Sequence, residues 1–265
     1  MSLSSQPSTN IPILGQDDLI SISIVSHGQG ILVISLLDDL ARLCRSQIEI
    51  ILTLNTSETI SFSLKNYPFP VRVVKNAAIQ GFGTNHNSAF QLATGALFCV
   101  LNPDVRLGFD PFPALLSCLK QWDAGVVAPM VCNEQGEPED SARTFPSLGS
   151  ILWKVMSGKR PRLETRFPDW VAGMMMLFPS NVFDLLGGFD EHYFLYYEDV
   201  DICARLHLAH KLVAYCPEAV IQHEARRSSH RHPVYLAHHM ASLARFLTSP
   251  VRRDALKLRQ MLVDS

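Results

Sequence analysis

Apolar residues in this chain recur with two periods that alternate along its first half. Ile20 to Ser26 is a β-branched run of the kind that forms a buried strand, and it stops at Ser26-His27-Gly28. From Ile31 to Arg45 the apolar positions recur at near-helical spacing with acids in the middle, which predicts a helix. Ile48 to Leu54 and Val71 to Lys75 read as two further strands, the first ending at Asn55-Thr56-Ser57-Glu58. A helix is expected over Asn85 to Ala93, and a strand over Leu97 to Leu101 that ends at Asn102-Pro103-Asp104. Strands alternating with helices predict an α/β protein with a doubly wound, mostly parallel sheet and flanking helices. Such sheets bind ligands beyond the carboxyl ends of their strands. Ser26, His27, Asn55, Asn102 and Asp104 all fall there.

The second half is less regular. Val126 to Pro129 predicts a strand, and Asn133 to Arg143 a turn-rich connection. The basic, proline-containing segment 144–168 reads as a mobile segment or a lid. Trp170 to Phe178 predicts one strand returning to the sheet, followed by a helix near Asn181 to Leu186. A helix over Ile202 to His210 and a strand at Val213 to Tyr215 come next. Pro233 to Leu247 and Val251 to Val263 read as C-terminal amphipathic helices, and residues 1–18 as a flexible lead-in.

At 265 residues with 47% apolar and 18% charged side chains, the chain has the makings of a sizeable core. The net charge of -2 is unevenly spread. From Glu224 onward there are eight Lys/Arg against three acids, so the tail carries about +5 and the rest about -7. A basic end on an acidic body suits phosphates or the anionic face of a membrane, giving peripheral contact, and nothing points to nucleic acid. The equally weighted alternative is a packed helical hairpin with a solvated charged face. Six cysteines without a CxxC pair or zinc spacing fit a reducing, cytoplasmic setting. No signal peptide and no apolar run of spanning length is evident.

The densest chemistry is Tyr196-Tyr197-Glu198-Asp199-Val200-Asp201, directly after Gly187-Gly188-Phe189-Asp190-Glu191. Clustered acids among apolar neighbours raise one another's pKa, which makes a carboxylate a usable base near neutral pH. The alternative is an ordinary helix start, where acids suit the dipole. Glu198 and Asp199 point about 100° apart on a helix, so one of them faces any ligand. Asp104 at a strand end suits a divalent cation, or is one element of an Asn-Pro-Asp turn. His223 after an apolar run offers a further ligand to that cation, with Arg226 and Arg227 nearby to neutralise an anion, or is a surface histidine beside a basic stretch. Gly81-Phe82-Gly83 lets backbone approach a ligand or forms a plain loop, while Asn85 and Asn87 suit a sugar, a base or a helix cap. Trp170 with Gly173 would make a floor for a sugar ring.

Taken in order, these motifs resemble glycosyltransferase family 2, inverting enzymes of the GT-A fold, and especially its rhamnosyltransferase-like branch. The carriers are Ile24-Val25-Ser26-His27, Gly81-Phe82-Gly83 with Asn85, Asn102-Pro103-Asp104, Trp170-Val171-Ala172-Gly173, the Gly-Gly-Phe-Asp-Glu and Glu-Asp elements, and His223, over roughly residues 20–230. The resemblance implies a donor nucleotide pocket lined by Ser26, His27 and Asn55. It makes Asp104 the second acid of an Asp-x-Asp motif that holds Mg²⁺ or Mn²⁺, with His223 completing the site. Asp199 becomes the general base, Glu198 its rival, and Trp170, Asp190 and Glu191 fall in the acceptor region. The implied partners are a dTDP- or UDP-linked sugar and a glycan or lipid-linked acceptor. Residues 19–125 then form the nucleotide-sugar half, 126–232 the acceptor and catalytic half, and 233–265 the terminal helices. Asn102 replaces the first acid of the motif, which implies a weaker or dispensable cation, and Leu54-Asn55 stands where the family often has an acid. The competing function is a non-catalytic nucleotide-sugar or glycan-binding protein on the same fold.

Overall fold

The computed structural model describes residues 18–58, 63–146, 165–224 and 233–263. The element order begins β1 (Ile20–Ser26), α1 (Gly30–Leu43), β2 (Ile48–Leu54), β3 (Val71–Lys75), α2 (Phe82–Phe90) and β4 (Leu97–Leu101). Next come β5 (Val105–Arg106), α3 (Phe112–Gln121), β6 (Ala124–Cys132), β7 (Ala142–Arg143), β8 (Trp170–Val171) and β9 (Met175–Pro179). The chain closes with α4 (Ser180–Leu185), α5 (Glu198–Leu208), β10 (Leu212–His223), α6 (Pro233–Thr248) and α7 (Pro250–Val263).

Eight strands form one sheet in the order β3-β2-β1-β4-β9-β6-β10-β5. The half from β3 to β4 is parallel, as expected, while β9 runs antiparallel to both β4 and β6. Side chains of a strand alternate between faces, and β4 shows the consequence. Leu97, Cys99 and Leu101 enter one core with Leu36, Leu37 and Leu40 of α1 and Leu115 and Leu119 of α3. Phe98 and Val100 enter the opposite core with Phe183, Ile202 and Phe246 from α4, α5 and α6. The run is apolar throughout because both of its faces are covered.

Three sequence expectations change. The predicted strand 170–178 is split at Ala172-Gly173-Met174: Trp170–Val171 pairs with β7 in a small second sheet, and only Met175–Pro179 joins the main one. The acidic helix starts at Glu198, four residues earlier than expected, and α2 starts at Phe82 instead of Asn85. Helix α3 and strand β5 fill a stretch left without prediction. The proposed lid over 144–168 lies mostly outside the described residues.

The terminal helices pack onto this body. Phe246 and Ala255 are buried in the same core as α5, and Arg259 Nη1 lies 2.6 Å from the buried Asp169 carboxylate. No described helix is long and apolar enough to cross a membrane.

Candidate active site

The carboxyl ends of β1, β2 and β4 open onto one edge of the sheet. Ser26 is fully buried, and its Oγ accepts the Gln29 N–H at 3.2 Å, so it shapes the β1–α1 turn. His27 is exposed beside it, its Nδ1 3.4 Å from Asn55 Nδ2. The Asn55 amide brackets Gln80: its Oδ1 accepts the Gln80 N–H at 2.8 Å and its Nδ2 donates to the Gln80 carbonyl at 2.9 Å. Asn85 is buried, and its Nδ2 donates to the carbonyls of Gly81 and Gln80 while its Oδ1 accepts from Asn76 Nδ2. Asn55 and Asn85, expected to touch the donor, therefore spend their amides holding the loop at 80–81. That loop needs glycine at 81, because a Cβ there would stand 2.8 Å from the Phe194 carbonyl oxygen.

Asp104 follows β4, and β10 returns beside it. The antiparallel pairing sets His223 opposite Val105, and the Glu224 N–H donates to the Asp104 carbonyl at 2.9 Å. His223 Nε2 then lies 3.4 Å from Asp104 Oδ2, and Nδ1 lies 3.2 Å from Glu139 Oε2. Burial works against protonating this imidazole, but its bonds to Asp104 and Glu139 and their charges prevail and raise its pKa above the usual value. Asp104 Oδ1 is buried and has no hydrogen-bond partner among the described residues. A buried carboxylate oxygen without a donor is costly unless a cation or water meets it. Two carboxylates around an imidazole are also a donor set suited to Mn²⁺ or Mg²⁺. By distance alone a tighter group exists, Cys118, Cys216 and Glu218 within 4.8 Å of one another between α3 and β10. It suits a hard cation poorly, because burial pushes both thiols up and Arg166 grips the Glu218 carboxylate.

The third component is the start of α5. Tyr196 and Tyr197 both adopt left-handed backbone, φ 68° and 70°. Each such turn costs a non-glycine residue about 1–2 kcal/mol. The double reversal aims the helix so that Asp199 meets the turn before β9. Asp199 Oδ2 accepts the Gly173 N–H at 3.1 Å, and Oδ1 accepts the Val200 N–H at 2.8 Å. The next residue of the same turn, Met174, accepts the Asn102 N–H at 2.9 Å. Two adjacent residues thus connect Asp199 to the strand end that carries Asp104. Burial raises the Asp199 pKa above the ordinary aspartate range, opposed by those two N–H groups and by the charge of Arg143. Glu198 is 5% exposed, and its Oε2 has no partner among the described residues. Burial, then the Asp199 charge, hold its proton well above the usual carboxylate range. Of the two candidates, Asp199 is the one whose carboxylate is positioned by backbone N–H groups, while Glu198 Oε2 meets no partner among the described residues.

The expected acceptor residues are dispersed around this point. Trp170 is largely buried; its Nε1 donates to the Thr144 carbonyl at 2.9 Å, and Arg143 covers its ring at 5.0 Å, so the indole face is not open. Asp190 is engaged by His192, whose Nδ1 lies 2.6 Å from its Oδ1, and its pKa is lowered: burial raises it, but the His192 bonds outweigh this. Glu191 Oε1 is exposed and accepts from Asn87 Nδ2 at 3.0 Å. Asn87 also exchanges hydrogen bonds with the Phe189 backbone, clamping the Gly-Gly-Phe-Asp-Glu loop to α2. Arg226 and Arg227 lie outside the described residues. Sequence reasoning reads Arg143 as a phosphate contact or a solvated loop arginine and gives Glu139 no role, because both stand in an acidic, turn-rich stretch with no periodic signal.

The profile described as "Glycosyltransferase like family 2" matches residues 20–239. The chain belongs to glycosyltransferase family 2. It is 30% identical to N-acetylglucosaminyl-diphospho-decaprenol L-rhamnosyltransferase of Mycobacterium tuberculosis, with 93% of each chain covered. It is 29% identical to rhamnosyltransferase WbbL of Escherichia coli K12 over 62% of this chain and 64% of that one. Among solved structures, the mannosyltransferase PcManGT of Pyrobaculum calidifontis in complex with GDP-Man and Mn²⁺ superposes with TM-score 0.65 at 15% identity, covering 96% of this chain and 72% of the other. S. aureus TarS 1-349 in complex with UDP-GlcNAc gives 0.61 at 12% identity, covering 90% and 70%. The family 2 assignment and the GT-A fold expected from the motifs hold, and the chain is a glycosyltransferase of the rhamnosyltransferase-like kind.

Proposed function

We propose that this glycosyltransferase is an inverting enzyme that moves a sugar, rhamnose by kinship with its relatives, from a dTDP- or UDP-linked donor to a lipid-linked glycan in cell-surface polysaccharide synthesis. The observation that carries this reading is the Asp199 carboxylate, aimed by two backbone N–H groups and joined through Gly173-Met174 to the strand end bearing Asp104. Asp199 takes the proton of the acceptor hydroxyl as that oxygen attacks the anomeric carbon. The bond from that carbon to the donor diphosphate breaks, the nucleoside diphosphate leaves with the electron pair, and configuration at carbon inverts. Positioned proton transfer of this kind contributes on the order of 10² to 10⁴ in rate.

Asp104 and His223, with Glu139 behind the imidazole, would hold a divalent cation, which when bound offsets the diphosphate charge. His27 stands at the exposed mouth of the nucleotide side, in the half spanning 19–125, and Gly173, Asp190 and Glu191 on the acceptor side, in 126–232. The basic tail suits a cytoplasmic protein peripheral to the membrane that carries its acceptor.

The test is sugar transfer to a synthetic lipid-linked N-acetylglucosaminyl diphosphate from dTDP-rhamnose, with UDP-sugars as alternatives, read as a glycolipid mass gain. A product of retained anomeric configuration, or donor binding without any transfer, overturns the proposal.

A further inference from the structure

Helix α6 packs one side against the body and turns an apolar side outward. The inner side carries Ser242 and Phe246, both buried, and Ser242 Oγ donates to the Leu195 carbonyl at 2.8 Å. On the opposite side, Leu236, Ala237, Met240, Ala244 and Leu247 share a sector of about 100°. Leu236 and Met240 are 61% and 55% exposed, Ala237 and Ala244 are exposed too, and Leu247 is half-buried. Arg245, the only Lys, Arg, Asp or Glu of α6, lies outside that sector, over the Tyr193 ring. A surface helix ordinarily turns charged residues to water. Helix α7 does so: Val251, Ala255 and Leu256 pack inward while the Arg253 and Lys257 side chains are exposed. A helix with apolar residues on its outward side as well marks an interaction surface.

Charge selects what that surface meets. Between Glu224 and Asp254 the chain has six arginines and no acid. One of them, Arg252, donates from Nη1 to the Leu247 carbonyl at 3.3 Å and so stands at the end of the apolar sector. A second copy of the chain would set this cationic stretch against its own like charge. An anionic bilayer offers phosphate to the arginines and hydrocarbon to Leu236 and Met240.

The inner side of the same helix reaches the reacting carboxylate. His239 packs at 5.4 Å from both Tyr196 and Tyr197, the left-handed pair that aims Asp199. A helix with its side chains is about 10–12 Å across. A bilayer on the outer side of α6 would therefore lie about one helix width from that loop.

We propose that the outward face of α6 docks on an anionic phospholipid bilayer, with Leu236, Met240 and Leu247 entering the headgroup–acyl boundary and Arg252 beside the lipid phosphates. The inference rests on the glycosyltransfer reading with a lipid-linked acceptor, and it assigns the side of the enzyme that meets the membrane holding that acceptor.

The experiment floats the full chain with phosphatidylglycerol vesicles and, separately, with phosphatidylcholine vesicles, and measures partition coefficients. Wild type is compared with a Leu236→Glu/Met240→Glu variant. A Lys257→Gln/Gln260→Glu variant changes the net charge equally on the exposed side of α7 and serves as control. Wild type should prefer phosphatidylglycerol about tenfold or more. The α6 variant should lose about tenfold or more of that partition, and the control only a few-fold. A nucleotide-induced thermal shift equal to the wild type's certifies the fold of each variant. Wild-type partition in the α6 variant, an equal loss in the control, or equal flotation on phosphatidylcholine overturns the docking face. A dimer in sedimentation velocity that the α6 variant dissolves, without flotation, gives the face to a second copy and overturns it too. A wild type that floats but transfers no sugar to a lipid-linked acceptor in those vesicles would sink the glycosyltransfer reading alone. Transfer by a wild type that does not float would sink this inference alone.

Discussion

His223 Nε2 faces Asp104 Oδ2 at 3.4 Å, although one ends β10 and the other follows β4. The contact exists because the two-residue strand β5 pairs antiparallel with the end of β10. If the pair holds a divalent cation, Mn²⁺ should raise the melting temperature of the nucleotide-bound wild type. A ligand at one hundred times its Kd adds about 2.7 kcal/mol. Asp104→Ala and His223→Ala should lose the Mn²⁺-dependent part of that shift and keep their unliganded melting temperatures within a few degrees. An Mn²⁺ response undiminished in both variants would reject the assignment.

Asp199→Asn keeps the shape and the Gly173 contact while removing the base. Transfer should fall on the order of 10² to 10⁴-fold, with donor affinity unchanged by thermal shift. In the wild type, kcat/KM should decline on the acid side at a pH above the ordinary aspartate range, because burial raises this carboxyl. Activity in the asparagine variant within a few-fold of wild type would transfer the role elsewhere.

Glu198 makes a stability prediction with a defined sign. Its folded pKa is raised well above 4.5 by burial and by Asp199. A group raised on folding contributes stability that is full below its unfolded pKa and is lost as pH rises through the folded value. Wild type should therefore lose stability relative to Glu198→Gln as pH climbs above about 4.5. Each kcal/mol recovered by the variant should raise Tm by about 2–4 °C in a domain of this size. Parallel Tm curves for the two proteins as pH rises above 4.5 would contradict a Glu198 whose pKa is raised by burial.

Asp39 behaves in the opposite way. It is buried in α1 and accepts from Arg106 Nε at 2.7 Å and from the Leu107 N–H at 3.1 Å, tying α1 to β5 and hence to the Asp104–His223 pairing. Burial alone would raise its pKa, but the Arg106, Leu107 and Arg42 hydrogen bonds outweigh it and the value is lowered. Its stabilisation is present above the unfolded pKa and is lost as pH falls through the folded one. Asp39→Ala should cost about 2–4 kcal/mol in urea denaturation, less than a fully buried pair because Arg106 is 34% exposed. A loss under 0.5 kcal/mol would show that β5 is held by other contacts.

Much of the fold was legible in the chain. The boundaries of β1, β2 and β4 follow directly from β-branched and apolar runs ended by polar turns, because strands covered on both faces allow little else, and the valines of the half-buried edge strand β3 mark it as well. The family also could be read, since the Asn-Pro-Asp, Gly-Gly-Phe-Asp-Glu and Glu-Asp elements are local and ordered. What no periodicity reveals is a reversal inside an apolar run: Trp170 to Phe178 looks uniform, yet the Gly173-Met174 turn splits it and supplies both contacts that join Asp199 to Asn102. The choice between Glu198 and Asp199 likewise depended on two left-handed tyrosines that set the helix start, a conformation that composition does not signal. Asn55 and Asn85 read as ligand contacts, and only the folded loop shows their amides already occupied. Local sequence determined which strands form and which residues gather at their carboxyl ends. Tertiary structure decided which of those groups are free to act, because burial and hydrogen-bond satisfaction arise only when distant segments meet.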